Sequence, residues 1–395
     1  MLKSKVGYST NLDSFMSGFE SAEKSTKDLK NPKVSFLFAS CKNNLKQVVK
    51  GIKSVTDTPI IGCTSSGGII VPDGIIRSKE GYSGLLTLSD ENLTVGVACH
   101  EAGKNPRSIG RKVAVDAVRN AKTTRAPAYF YMVTSPKEEE EYLLGIQDVI
   151  GRVPMFGGSA ADDEITEEWK IICNDKIIND GVAVAFFYTD NEIVTSFSGK
   201  YNETDNVGII TKVEEERTLA EINGSSALRI YAQWISTSPS QLKGEGLLEA
   251  AITKPLGVKA VQGNLTLIKQ PMFVEDMGTK TVMDDKITLG NKVMEKTAII
   301  QLETTVDEMI ESHRELLREL STKLYTTPGA YILINSAGRK KVLKDRLDEV
   351  YKKVLDETGG VPFIMPFTYG QFGYEEHSAN CCGGLMMSFT VFGIN

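Results

Sequence analysis

No stretch of this sequence approaches the roughly 20 consecutive apolar residues with which a helix crosses a bilayer. Its opening residues, MLKSKVGYST, lack the apolar core of a secretory signal. A cytoplasmic protein with no membrane partner is therefore expected. Cysteine is sparse, and Cys41, Cys63, Cys99, Cys173, Cys381 and Cys382 include no CxxC pair and no disulfide-framework spacing, so reduced thiols are expected. His100, His313 and His377 stand far apart and outside any zinc-type motif, which leaves no cofactor to expect. Clustered basic residues are also missing. With a net charge of -6 and a pI near 5.4, nucleic acid is not an expected partner, and the ligand should be small or proteinaceous.

What is present is a 395-residue chain, 41% hydrophobic and 24% charged, which is globular in composition and too long for one comfortable core. Two domains are the natural division.

The most informative segment is PMFGGSAADDE, Pro154 to Glu164, an apolar strand end followed by small residues and then three carboxylates. The same outline recurs. VSFLFAS, Val34 to Ser40, reads as a buried strand, and Leu45, Val48, Val49, Ile52 and Val55 then mark one face of a helix before PIIGCTSSGGI begins at Pro59. AYFYMVTS, Ala128 to Ser135, leads through a helix with Leu143, Ile146, Val149 and Ile150 apolar into PMFGGSAADDE. The spacing from Ser40 to Pro59 equals that from Ser135 to Pro154, 19 residues in each case. A looser third copy starts at AYILINSAG, Ala330 to Gly338, continues through a helix capped by Gly359, and ends in VPFIMPFTYGQFG. Between the copies lie β-rich pieces whose Asn174-Asp175 and Asn179-Asp180-Gly181 suit hairpin turns. The expected class is α+β, with two domains of repeated strand-helix-strand units, antiparallel hairpins and mixed sheets.

Ser135 and Pro136 are placed as N-cap and first residue of the second helix, and the run Glu138 to Glu141 as a solvated first turn favoured by the helix dipole. Thr305 and Glu308 fit a capping box, with His313 on the face of the helix they start. The expected division is an N-terminal extension over 1–33, a first domain over 34–223 and a second over 224–395.

VPMFGGSAADD, PIIGCTSSGGI, KPLGV, VDEMIES and the terminal FTYGQFG, in this order, resemble the FIST proteins, which carry paired FIST N and FIST C domains. That resemblance implies a sensory module of signal transduction that binds small ligands, amino acids among the possible ones, without turnover. Members are often fused to output domains. Here Val34 is preceded by only 33 residues and the last unit reaches the C-terminus, so a separate output protein is the expected partner.

Three strand ends would present backbone-rich turns, where glycine and serine let amides approach a bound group. The expected ligand-binding residues are Cys63, Thr64, Ser65, Ser66 and Gly67 in the first turn, and Gly157, Gly158, Ser159, Ala160, Asp162 and Asp163 in the second. Thr368, Tyr369, Gly370 and Gln371 make the third. Amides would hold a carboxylate, Asp162 or Asp163 an ammonium, and Tyr369 with Gln371 the side chain of an amino acid. The plainer reading of adjacent aspartates is that they cap turn amides. Three competing functions use overlapping residues. Cys63 as a nucleophile or Asp162, Asp163 and Glu164 around a cation would make an enzyme. Cys63, Cys381 and Cys382 with His377 would make a redox or metal centre. An adaptor would need neither. Sensing is the reading carried forward, with no catalytic residues assigned.

Overall fold

The computed structural model describes residues 1–260, 265–275, 286–374 and 379–394. The described residues form three six-stranded sheets and one eight-stranded sheet, all mixed or antiparallel, and the class is α+β.

The first unit runs β1 (Lys3–Ser9), α1 (Ser14–Thr26), β2 (Pro32–Ala39), α2 (Leu45–Lys53), β3 (Ile60–Thr64), the hairpin β4 (Ile69–Val71) and β5 (Gly74–Ile76), and β6 (Ser83–Ser89). The second repeats it as β7 (Thr94–Glu101), α3 (Pro106–Ala121), β8 (Tyr129–Thr134), α4 (Glu139–Ile150), β9 (Met155–Ser159), the hairpin β10 (Ile171–Cys173) and β11 (Lys176–Ile178), and β12 (Gly181–Tyr188). The third opens with β13 (Ile193–Ser198) and is then interrupted. The interruption comprises β14 (Asn202–Glu214), β15 (Thr218–Ile222), β16 (Ser225–Ser226), α5 (Ala227–Trp234), α6 (Glu245–Thr253), β17 (Leu256–Lys259), β18 (Thr266–Lys269), β19 (Pro271–Glu275), β20 (Lys286–Leu289) and β21 (Ala298–Glu303). The unit resumes with α7 (Val306–Lys323), β22 (Thr327–Ser336), α8 (Ala337–Leu343), α9 (Leu347–Thr358), β23 (Phe363–Thr368), the hairpin β24 (Gly370–Tyr374) and β25 (Asn380–Gly384), and β26 (Met387–Ile394).

Each unit pairs its second and third strands in parallel, in equivalent registers: Ala39 with Thr64, Thr134 with Ser159, Ser336 with Thr368. Its last strand returns antiparallel beside the second, and its hairpin leaves. β4–β5 joins the third unit's sheet at β23, β10–β11 joins the first at β3, and β24–β25 joins the second at β9. The exchange closes a ring around a pseudo-threefold axis. On that axis Phe36 of β2, Phe156 of β9 and Phe392 of β26 meet with ring centroids 5.9–6.4 Å apart, one from each unit. Burial at about 1.5–3 kcal/mol for each such side chain makes this shared core a reason the units do not separate.

Helices cover the outer faces. Glycines let the α1/α2 and α3/α4 pairs cross in contact: a Cβ on Gly51 would lie 2.0 Å from Phe15 O, and one on Gly145 2.0 Å from Arg107 O. Residues 1–33, expected as an extension, supply the edge strand β1 and the helix α1 of the first unit. The expected boundary at 223/224 falls in the turn between β15 and β16, inside the inserted sheet.

Two local expectations are corrected. α4 begins at Glu139 rather than beside Pro136 and has no side-chain cap, because the Ser135 hydroxyl instead accepts the Gly181 amide at 3.0 Å. Its acidic turn is not solvated, since Glu139 is buried and binds Arg217 of the inserted sheet. The Thr305–Glu308 capping box is present. Buried His313 hydrogen-bonds through Nδ1 to Met309 O at 2.9 Å, and burial, helped by Arg339, pulls its pKa down to about 3.

Candidate functional site

The three small-residue turns follow β3, β9 and β23, and they meet. The Ser66 amide donates to Phe367 O, the Ala161 amide to Thr64 O and the Tyr369 amide to Ser159 O, at 2.9, 3.0 and 3.2 Å. Each turn is thus pinned to the strand of a different unit. Cys63, Thr64, Ser65, Ser66, Gly157, Gly158, Ser159, Ala160, Asp162, Thr368, Gly370 and Gln371 are buried, while Gly67 and Tyr369 are half-buried and Asp163 is exposed.

Most of the buried polar groups are already satisfied by the fold. Ser65 Oγ donates to Gly68 O and accepts the Phe367 amide, both at 2.8 Å. Gln371 Nε2 donates to Thr368 O at 3.0 Å and its Oε1 accepts the Met386 amide at 2.8 Å, so it ties β24 to the end of β23 and to the turn between β25 and β26. Asp162 accepts the amides of Glu164, Ile165, Thr166 and Glu168, at 2.6–3.2 Å, and the Tyr369 hydroxyl. Burial would raise its pKa, but these hydrogen bonds outweigh it and hold the carboxyl below its ordinary value. Its lone pairs serve the 162–168 loop. Tyr369 is pushed up by burial and by Asp162.

Around Gly67 the situation differs. Gly67 has φ +57°, in the left-handed region that glycine adopts without strain, and its amide donates to Asp163 Oδ1 at 2.6 Å. Lys340, from the last turn of α8, donates to Ser66 O at 3.0 Å and lies with its Nζ 5.4 Å from the Phe367 ring centroid. A Cβ on Gly67 would stand 2.2 Å from Lys340 Nζ and 3.9 Å from Asp163 Oδ1. Glycine therefore leaves an ammonium and a carboxylate facing one another over bare backbone. Burial lowers the Lys340 pKa to about 8, with Asp163 opposing and Arg77 reinforcing the shift.

Equivalent places on the other junctions carry other chemistry. Cys41, in the loop after β2, faces Asp163, and burial with that carboxylate raises its thiol pKa. Glu139, after β8, accepts Ser159 Oγ at 3.0 Å; burial and Glu140 raise its pKa against the pull of Arg217. Lys340, Cys41 and Glu139 were not anticipated. Lys340 carries no local signal, because a cation in the last turn of a helix is what the helix dipole favours anyway.

Cys63 is fully buried, and desolvation raises its thiol pKa. It lies on β3, in a different sheet from Cys381 and Cys382 on β25, and His377 lies outside the described residues. Among the described residues no group of three or more His, Cys, Asp or Glu is arranged to hold a metal, and no helix is long and apolar enough to cross a membrane. A cleft of about 980 Å³ between β13, β18 and α7 contains none of the expected site residues.

Comparison with known proteins gives a FIST N domain match over residues 33–225 and a FIST C domain match over 227–374. No curated protein matches. Among solved structures, cyanuric acid hydrolase from A. caulinodans aligns over 100% of both chains at 8% identity and a TM-score of 0.38. A second cyanuric acid hydrolase structure does so at 9% and 0.34. T. maritima PurL complexed with AMPPCP aligns with all of this chain and 73% of its own at 8% and 0.25. Likenesses this slight carry nothing about activity.

Proposed function

This chain belongs to the FIST family, and on that premise we propose that it is an intracellular sensor whose ligand is a small zwitterion such as an amino acid, bound over Gly67. FIST domains are sensory, small-ligand-binding domains of signal-transduction proteins. One observation carries the finer reading: Lys340 Nζ and Asp163 Oδ1 both lie within 4 Å of the Cβ position of Gly67. Lys340 would take the ligand carboxylate and Asp163 its ammonium, by charge-assisted hydrogen bonds. Asp162, fully engaged by its loop, positions Asp163 instead of touching the ligand.

The protein senses and does not turn its ligand over, a reading supported by the burial of Cys63. Ligand preference for one arrangement of the ring of turns biases the surface seen by a separate output protein. The test is calorimetric titration with the twenty amino acids. One chemical class should bind, and Lys340→Met and Asp163→Asn should each weaken it by about tenfold or more, roughly 1.4 kcal/mol. Because burial lowers the Lys340 pKa to about 8, affinity for the anionic end should fall above that pH. Binding that survives both substitutions unchanged would refute the site, and no binding by any amino acid would refute the ligand class.

A further inference from the structure

The cleft between β13, β18 and α7 is a second place where the fold leaves charge uncompensated. β13 and β18 are each the end strand of a sheet, and the gap of about 980 Å³ beside them is of the size that ligand sites have. Buried Phe197, Ile268 and Leu302 line it together with the rings of Tyr129, Tyr201 and Tyr374. Tyr325, also in its lining, is 92% exposed, so one more ring stands in water at the opening.

Four charged side chains line the cleft: Lys200, Glu203, Glu319 and Lys323. Both carboxylates are already taken, Glu319 by Lys200 and Glu203 by Lys259. Glu192, just before β13, is turned to the amides of Tyr325 and Thr326, at 2.9 and 3.1 Å. Lys323 makes no hydrogen bond or ion pair among the described residues. A second cation stands behind the wall. Arg339 is fully buried and donates to Gly199 O at 2.8 Å, Met309 O at 3.2 Å and Ser312 Oγ at 2.6 Å, while its Nε has no partner. None of these partners is a carboxylate. Gly199 and Tyr201 line the cleft, and the guanidinium lies 5.7 Å from the Tyr201 ring centroid. Buried charges are rarely left without a counter-charge, so an unpaired guanidinium behind one wall and an unpaired ammonium at the cleft call for an anion. Walls of low polarity concentrate that positive field, and the rings among them suit a flat apolar body.

We propose that this cleft is a second binding site, for a small aromatic carboxylate whose acid group pairs with Lys323 and whose ring lies among Phe197, Tyr201 and Ile268. Arg339 acts on it through its field, from behind Tyr201, without contact. The site shares no residue with the Gly67 mouth and does not depend on it. Its occupant touches β13 of the third unit and β18 of the insert at once.

Lys323 is exposed and unpaired, so Lys323→Met addresses the site without threatening the fold. The measurement is NMR of the full chain labelled at isoleucine and leucine methyls, following Ile193, Ile268 and Leu302. The probe is 2-naphthoate, with 2-naphthamide as its uncharged counterpart and hexanoate as its ringless one. 2-Naphthoate should give saturable shifts at these methyls. Its affinity should fall about tenfold or more in Lys323→Met, the loss of one charge-assisted hydrogen bond, and stay unchanged in Lys340→Met. 2-Naphthamide and hexanoate should both bind more weakly, and added salt should weaken 2-naphthoate more than 2-naphthamide. Absence of saturable shifts, or shifts indifferent to Lys323→Met, would overturn the proposal. 2-Naphthamide binding as tightly as 2-naphthoate would refute the anion, hexanoate binding as tightly would refute the ring, and loss of the shifts in Lys340→Met would return the probe to the Gly67 mouth.

Discussion

Replacing Arg217 by methionine should loosen the inserted sheet in a pH-dependent way. Arg217 Nη2 binds Glu139 Oε2 at 3.0 Å and Glu140 Oε2 at 2.8 Å, and the guanidinium also donates to the carbonyls of Gly290 and Lys137. The side chains of Arg217 and Glu139 are 16% and 4% exposed, so this is a buried pair, whereas Glu140 at 21% retains some water. Removing one partner of a buried pair costs about 3–5 kcal/mol, because a carboxylate is left without compensation. The sign follows from Glu139, whose folded pKa lies above its ordinary value of 4.5, chiefly through burial. Below the unfolded value both states hold the proton and the group costs nothing. As pH rises towards the folded value, the unfolded chain releases its proton first and stability falls, levelling once the folded carboxyl ionises too. Without Arg217 the folded value climbs further, so the deficit of Arg217→Met should be small near pH 4 and reach about 3 kcal/mol by pH 8. Urea denaturation at both pH values measures it. The double variant with Glu139→Gln should recover about 1–3 kcal/mol of coupling. A deficit equal at both pH values, or no coupling, would refute the account of the acidic turn as the seat of the insert.

Asp162→Asn should cost about 1–3 kcal/mol, read as a lower melting temperature and faster proteolysis within 162–168, because a neutral amide cannot accept all the bonds the carboxylate holds. Since its folded pKa is depressed, that contribution is present above the ordinary carboxyl value and is lost as pH falls through the folded one. Of the six thiols only Cys41 is not buried, so native labelling with an aromatic disulfide should modify one cysteine before unfolding. Asp163→Asn should speed that labelling, because a neighbouring carboxylate that raises the thiol pKa is gone. Equal rates in the two proteins would separate Asp163 from Cys41.

The three-fold repetition was legible because β2, β8 and β22 are continuous apolar runs followed by helices of visible period, and equal spacing reported equal construction. The first helix was hidden for a physical reason. α1 buries Ser17, Ser21 and Ser25, whose hydroxyls meet Ser83 and Thr87 of β6, so its inward face carries no apolar stripe to read. Asn174-Asp175 announced the β10–β11 hairpin, but nothing local says that it pairs with β3 of another unit; ring closure decides that. Gly67 and Asp163, both singled out from the sequence, stand together in the structure through the Gly67 amide. Lys340 was not legible, because its partner Ser66 lies 274 residues away in sequence. The aspartate pair was legible only as a choice between capping and binding, and the two residues divide it: Asp162 caps, while Asp163 stands exposed over Gly67.

Threefold construction with unequal residues explains how one ring can hold different chemistry at equivalent places. The loop after the second strand meets a neighbouring turn at each junction, and it presents Cys41, Glu139 or Lys340 there. At the Glu139 junction the inserted sheet supplies the missing cation, Arg217, which closes that place to solvent and ties the insert to α4. At the Lys340 junction the groups around the cation include, among the described residues, Ser66, Phe367 and Asp163, and it remains beside exposed Asp163. A ligand that bridges those two charges acts on β23 through Ser66 and Phe367, and β23 is covalently continuous with the β24–β25 hairpin that packs against the second unit and the insert. Hydrogen exchange in β24 and β25 should therefore slow when a ligand fills the Gly67 mouth, and Arg217→Met should abolish the effect in the insert while leaving it in the hairpin. Protection confined to the residues touching the ligand would mean that the ring of turns holds its ligand without transmitting it.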